Sequence, residues 1–401
     1  MDQQTVLDAL DADDPRPALD KLADGPLAVD CPDLGSGRLV LPRYAQARRV
    51  LRDDRFGCGE SAAAFLERMP EHLRPLLAPV ASWTLYMDGA PHRRLRGLLS
   101  KAFTARRVAA LESRVVALVG ELLDGLAGRG GGDAVAELAV PLPVLTISAL
   151  LGLPAADQKV LKDWSDDLIR IIEPSVDPAE SARLAASWTA LWEYFGAALK
   201  ERRLHPGEDL ITDLARVEDG EGRLTDEEIV ANCVSLLLGG HETTTNLHAA
   251  ALLALRAHPG PVRDGAAAHG AAGFVEEVLR TDGPSKITSR VALVDVDLDG
   301  VTVPRGRQVV LLLASANRDP QVFDRPDVFD PFRTPNPHLA FGFGPHACFG
   351  AALARLQGQA LVRQYAAHPA EFAVSADEVR WKPSRVLRSA ASLPLRVGSA
   401  A

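Results

Sequence analysis

Residues 341–350 read FGFGPHACFG and run directly into AALARLQGQALVRQYA, residues 351–366, whose apolar positions recur at helical spacing. Gly342, Gly344 and Gly350 let the backbone approach a flat ligand where side chains would collide. Cys348 stands just upstream of the helix start, where the helix dipole and free N–H groups favour a thiolate over a thiol. A thiolate so placed can bind a soft or borderline metal. A lone cysteine in a glycine-rich turn is more often a structural thiol, and it is the spacing FGxGxHxCxG that points the other way. Cys58, between Gly57 and Gly59, lacks those flanks and reads as an ordinary loop residue.

A second segment, residues 232–246, reads NCVSLLLGGHETTTN within a long helical pattern from about 225 to 258. Two glycines inside a helix cost about 1 kcal/mol each relative to alanine, so Gly239 and Gly240 call for compensation. On residue types alone this is a glycine kink whose threonines bond back to helix carbonyls. A zinc-protease HExxH motif fails, because position 245 is Thr and His248 is out of register with His241 and Glu242.

Further helices are predicted over residues 141–151, 155–172 and 181–203, two more within 92–126, and one ending at Arg280. Residues 57–86 mix turns with short apolar segments and read as a variable loop. Strands are expected near the N-terminus, at RLVLP (38–42), and again where VALVDVDLDGVTVP and GRQVVLLL alternate or run β-branched, with Asp299-Gly300 as a hairpin turn. A strand-like tail closes the chain. The expected class is mainly α with a smaller β-rich lobe, in one domain over residues 1–401. Its β-rich portions are the N-terminus and 285–400, its helical lobe about 90–284 and 350–367.

The chain has 401 residues, 47% hydrophobic, enough to fill a sizeable core. A formal net charge of -9 argues against nucleic acid as the main partner. Four widely spaced cysteines without a CxxC pair suggest reduced thiols, not a disulfide framework. The acidic N-terminus lacks an apolar run suited to a signal peptide or anchor helix, so a cytoplasmic protein without membrane contact is expected.

Taken with the other segments, the cysteine decamer resembles the cytochrome P-450 superfamily, in its soluble bacterial branch, from about residue 40 to the C-terminus. The resemblance implies the cytochrome P-450 fold, with haem b (iron protoporphyrin IX) between the long central helix and the cysteine turn. Cys348 is then the axial thiolate on the iron, His346 a propionate partner, and Phe341 the aromatic ring that shields the sulfur. Gly239 and Gly240 open space on the distal side, Thr243 and Glu242 serve oxygen activation by hydrogen bonding and proton delivery, and Thr244 supports the local distortion. Many members have Ala where this chain has Gly239.

By the same resemblance His92 and Arg96, at i and i+4 in DGAPHRRLR, and Arg290, in ITSRVAL, anchor the propionates. Glu277 and Arg280, three apart on one helix face, join Arg333 in a structural cluster. Candidate lining segments for the substrate are residues 65–85, 168–174, 234–240 and 285–288. Val234, Leu238, Gly239, Ser285, Lys286 and Ile287 stand out, Lys286 as a possible partner for an acidic substrate group. Arg93, Arg94, Lys101, Arg106 and Arg107 could form a positive patch for an acidic ferredoxin. Arg202 reads as a surface arginine.

The implied activity is monooxygenation of a mostly apolar small molecule by a monomer, with NAD(P)H electrons arriving through ferredoxin and ferredoxin reductase, and no fused redox domain. Two rivals stay open: a peroxygenase of the same fold, and a non-catalytic haem-binding helper.

Overall fold

The computed structural model describes residues 2–34, 38–58, 62–168, 178–220, 222–260 and 270–398. Most are helical, with smaller sheets. The chain forms two compact units, one of residues 1–59, 119–139 and 243–401, the other of residues 60–118 and 140–242.

The first unit holds a five-stranded sheet in the order Val29–Asp30, Leu39–Leu41, Gln308–Leu311, Thr288–Ala292, Phe56–Cys58. Leu39–Leu41 pairs parallel to Gln308–Leu311, with Val40 opposite Val310. These runs are apolar without alternation because both faces of the sheet are covered. Leu39, Leu41, Val309 and Leu311 enter one core cluster with Val50, Phe56 and Leu339. Val40, Val310 and Leu312 enter another, with Val6, Leu10, Leu19 and Leu22 from two N-terminal helices, Gln3–Asp11 and Arg16–Ala23. Successive strand residues point to opposite faces, so one β-branched run feeds two cores. The hairpin forms where Asp299-Gly300 signalled it. Val296–Leu298 pairs with Val301–Val303 across residues of φ +57° and +89°, the left-handed pair a tight hairpin needs.

The helices of the predicted helical lobe divide between the units. Gly270–Asp282 and Ala351–Ala367 both belong to the sheet-bearing unit, and they pack so closely that a Cβ on Gly358 would meet Val275 Cγ1 at 3.2 Å. The second unit contains the helices Gly89–Ala102, Ala105–Ala109, Pro141–Leu151, Gln158–Leu168, Pro178–Leu204 and Leu210–Arg216. Residues 57–86 depart from the expected loop. They begin with the end of strand Phe56–Cys58 and continue as short helical turns from Ala62–Arg68 to Thr84–Tyr86, burying Phe65, Leu73, Leu77, Val80 and Trp83. Pro70, Pro75 and Pro79 stand at the starts of three of these turns, and each turn is too short to show a helical period. Residues 92–126 carry parts of three helices instead of two, the short extra one capped by Thr104, whose hydroxyl accepts from Arg107 N at 3.2 Å.

The helix expected to reach Ile172 is described to Leu168, and residues 169–174 of that candidate lining segment lie outside the described residues. Among the described residues no helix is long and apolar enough to cross a membrane.

Candidate active site

Cys348 is the one exposed cysteine, whereas Cys31, Cys58 and Cys233 are buried. Its turn is built by backbone. The Cys348 N–H donates to Phe341 O at 2.8 Å, and Gly342 and Gly344 adopt φ of +68° and +76°. A Cβ on Gly344 would lie 2.5 Å from Leu51 O, so only glycine lets the turn rest on the Tyr44–Arg52 helix. On the same helix Arg48 covers the Phe343 ring at 4.6 Å. His346 ends the short Gly344–His346 turn, and Gly350 caps the Ala351–Ala367 helix with open space where a Cβ would stand.

The segment leading into this turn has little regular structure between Asn317 and Phe343, so side chains hold it. Arg280 binds Glu277 through two hydrogen bonds of 2.7 and 2.9 Å and donates to the carbonyls of Asn317, Pro326 and Val328. Arg333 donates to both Glu277 oxygens at 3.2 and 3.3 Å, and to the carbonyls of Asp324, Arg325 and Val328. Glu277 and Arg280 are fully buried. Burial raises the Glu277 pKa, but hydrogen bonds and charge from Arg280, the Asp330 N–H and Arg333 outweigh it, and the carboxyl lies below its usual range. Removing one partner of such a buried pair costs about 3–5 kcal/mol.

Beside it stands a second cluster that sequence reading missed. Glu276 binds Arg355 at 2.7 and 2.9 Å and His338 Nε2 at 3.0 Å, and Arg355 lies over the Phe341 ring at 4.5 Å. Burial alone would raise the Glu276 pKa, yet these partners hold it at about 2. The signal was weak: Glu276 is the other acid of FVEEVLR, and its partners are distant in sequence.

The helix Asp226–Ala257 runs unbroken through Gly239, Gly240 and the threonines. Gly239 is exposed although Leu237 and Leu238 beside it are buried, and a Cβ there would meet nothing within 4 Å. At Gly240 the nearest atom would be Ile147 Cδ1 at 3.8 Å. Thr243 is half-buried, one turn from Gly239 and Gly240, and Glu242 and Thr244 are buried. His241 Nδ1 lies 3.2 Å from Ser165 Oγ, while burial pushes the His248 imidazole down to about 4. Both histidines are thus structural neighbours of the motif. Among the described residues no group of three His, Cys, Asp or Glu could hold a metal ion.

In the second unit, His92 is buried and Arg96 half-buried on the Gly89–Ala102 helix. Arg290 lies in the first unit, buried on Thr288–Ala292, with its Nη1 donating to Ser289 O at 2.7 Å. Val234 and Leu238 are buried on the long helix. Lys286 is directed to the backbone: its ammonium binds Leu10 O at 2.5 Å and Ser384 O. Ser285 bridges to Leu387, and Ile287 packs against the N-terminal core cluster. Of the basic patch, Arg94 pairs with Glu228 at 2.7 Å and Arg107 with Asp213, while Lys101, Arg106 and Arg107 line a groove with Glu208 and Arg216. Arg202 is no open surface residue, since it binds Asp209 and donates to Gly152 O at 2.7 Å.

Cys348 is thus an accessible thiol in a glycine turn ahead of a helix, and the buried Glu277–Arg280–Arg333 cluster holds the segment that leads into that turn. The cytochrome P450 family model matches residues 272–364, which contain all of these features. The chain is 36% identical over 355 residues to the Biotin biosynthesis cytochrome P450 of Bacillus subtilis (strain 168), covering 88% of each chain. It is 37% identical over 401 residues to Cytochrome P450 monooxygenase PikC of Streptomyces venezuelae, covering 96% of this chain and 91% of that one. The crystal structure of CalO2 superimposes with a TM-score of 0.88 at 32% identity, covering 97% of both chains. The chain belongs to the cytochrome P450 family and is a monooxygenase, and membership implies a haem cofactor.

Proposed function

We propose that this monooxygenase carries haem b on Cys348 and uses two electrons from NAD(P)H, delivered through ferredoxin reductase and ferredoxin, to hydroxylate or epoxidise a mostly apolar small molecule, a secondary metabolite, in the cytoplasm. The single observation that carries this reading is the Cys348 turn: an accessible thiol among three buried ones, with glycines where a flat ligand would meet backbone. On its own helix Gly239 is exposed, with open space where a side chain would stand. Two protons and two electrons per O2 balance the reaction, one oxygen atom entering the substrate and the other leaving as water.

Once bound, the haem supplies the redox centre at which dioxygen is reduced and its O–O bond broken. The chain's residues do the rest. Cys348 would donate thiolate charge, Phe341 would exclude water from the sulfur, and Gly342 and Gly350 would leave space for a flat ligand. His92, Arg96, Arg290 and His346 would neutralise the haem's carboxylates, and Gly240, having no side chain, would leave room for dioxygen. Thr243 holds a hydrogen bond at the reacting site and Glu242 moves a proton toward it.

Product formed per NADPH consumed, with added ferredoxin and ferredoxin reductase, tests the proposal. Product from hydrogen peroxide alone would make the protein a peroxygenase, and bound haem without product from either source would make it a helper. His92→Ala and Arg290→Ala are each expected to lower haem retention after gel filtration, because an unpaired buried charge costs several kcal/mol. The exposed Arg114 is the control, its alanine variant keeping the wild-type haem content. Equal haem content in all three variants would remove the propionate assignment.

A further inference from the structure

The cluster around Glu276 has no part in the mechanism described so far, yet it reaches the cysteine turn by direct contacts. Its geometry fixes which groups meet. The Ala340 N–H donates to His338 Nδ1 at 3.3 Å, so that nitrogen accepts and Nε2 carries the proton. His338 thus meets Glu276 Oε2 through Nε2, and its side chain is 3% exposed. Glu276 also accepts from Arg355 Nε and Nη2, a bidentate clamp that fixes the plane of the guanidinium. That plane covers Phe341 at 4.5 Å, and the His338 ring lies 6.2 Å from the same phenyl. The carbonyl of Phe341 in turn accepts the Cys348 N–H at 2.8 Å. One carboxylate on the Gly270–Asp282 helix thus orders three elements: the segment before the turn, the turn itself and the helix after it.

We propose that Glu276, Arg355 and His338 are positioning residues for the haem-thiolate site, seating Phe341 against the Cys348 turn and setting, through the balance of the Glu276 and Arg355 charges, how readily the site accepts an electron. This inference rests on the haem-thiolate reading above. A reduced site carries one more negative charge than an oxidised one, so a nearby cation favours reduction and a nearby anion opposes it. In the native cluster Glu276 offsets Arg355. Loosened packing alone would move the potential in the same direction whichever partner is removed, whereas the charge balance demands opposite signs.

The test is the midpoint potential of the purified holoprotein, with the carbon monoxide spectrum of the reduced form taken in parallel. Glu276→Gln leaves the guanidinium uncompensated and is expected to raise the potential, and Arg355→Gln to lower it. Each change should approach tenfold in the one-electron equilibrium, about 59 mV. The double variant should return close to wild type. Arg355→Lys, which keeps the cation but not the fork, should retain the wild-type potential while losing the thiolate band faster on warming, as Phe341 becomes unseated. Shifts of the same sign in both single variants, or no shift in either, overturn the proposal. If Glu276→Gln yields no holoprotein, the two Arg355 variants decide: equal potentials for Gln and Lys overturn it. A wild-type protein without the thiolate band would instead defeat the haem-thiolate reading itself.

Discussion

Cys348→His is expected to abolish the red-shifted Soret band that the reduced, carbon monoxide-treated wild-type protein shows. The band reports a thiolate on iron, and no other sulfur can replace this one. Cys31, Cys58 and Cys233 are buried, and burial pushes the Cys233 thiol up to about 12 and raises that of Cys31 as well. An imidazole at position 348 would donate less charge and give a histidine-type spectrum. The measurement is one difference spectrum per variant, normalised to haem content. A wild-type protein with a histidine-like band, or with no haem, would refute the central assignment, while an unchanged band in Cys348→His would place the ligand elsewhere.

Thr243→Ala is expected to keep haem, substrate binding and much of the NADPH consumption, while product per NADPH falls by at least about tenfold and hydrogen peroxide rises to match. Positioned proton transfer contributes about 10²–10⁴-fold to such steps, so losing the hydroxyl that orders it releases peroxide before the oxygen reaches substrate. Glu242→Gln should slow turnover with less uncoupling, because it removes the carboxyl that moves the proton but not the hydroxyl that orders it. Added peroxide is expected to support some product in the threonine variant, whose thiolate and pocket remain. Product and peroxide measured in the same reaction check this. An unchanged ratio in Thr243→Ala would make this threonine a purely structural member of the helix, or show that the substrate supplies the ordering hydroxyl.

What could be read without coordinates was local. The Ala351–Ala367 and Asp226–Ala257 helices and the Asp299-Gly300 hairpin each announce themselves within a short window, through a 3.6-residue period or a two-residue turn signal. The cysteine turn was legible for the same reason, since FGFGPHACFG holds its glycines, histidine and thiol within ten residues. The Glu277–Arg280 pair was visible as an i, i+3 spacing, and Arg333 could be added only through family resemblance.

Tertiary structure decided whatever depends on partners far apart in the chain. The parallel pairing of Leu39–Leu41 with Gln308–Leu311 joins segments about 270 residues apart, and no local period encodes which strand a β-branched run will find. Prolines at 70, 75 and 79 hid the buried turns of residues 57–86. Lys286 stood out as an unusual cation within a candidate lining segment; only the folded chain brings the carbonyls of Leu10 and Ser384 to its ammonium. Glu276, adjacent to the legible Glu277, was passed over for the same reason. Adjacent helix residues face about 100° apart, so Glu277 turns to Arg280 and Arg333 while Glu276 meets His338 and Arg355, and which acid takes which partners is set by packing and not by spacing.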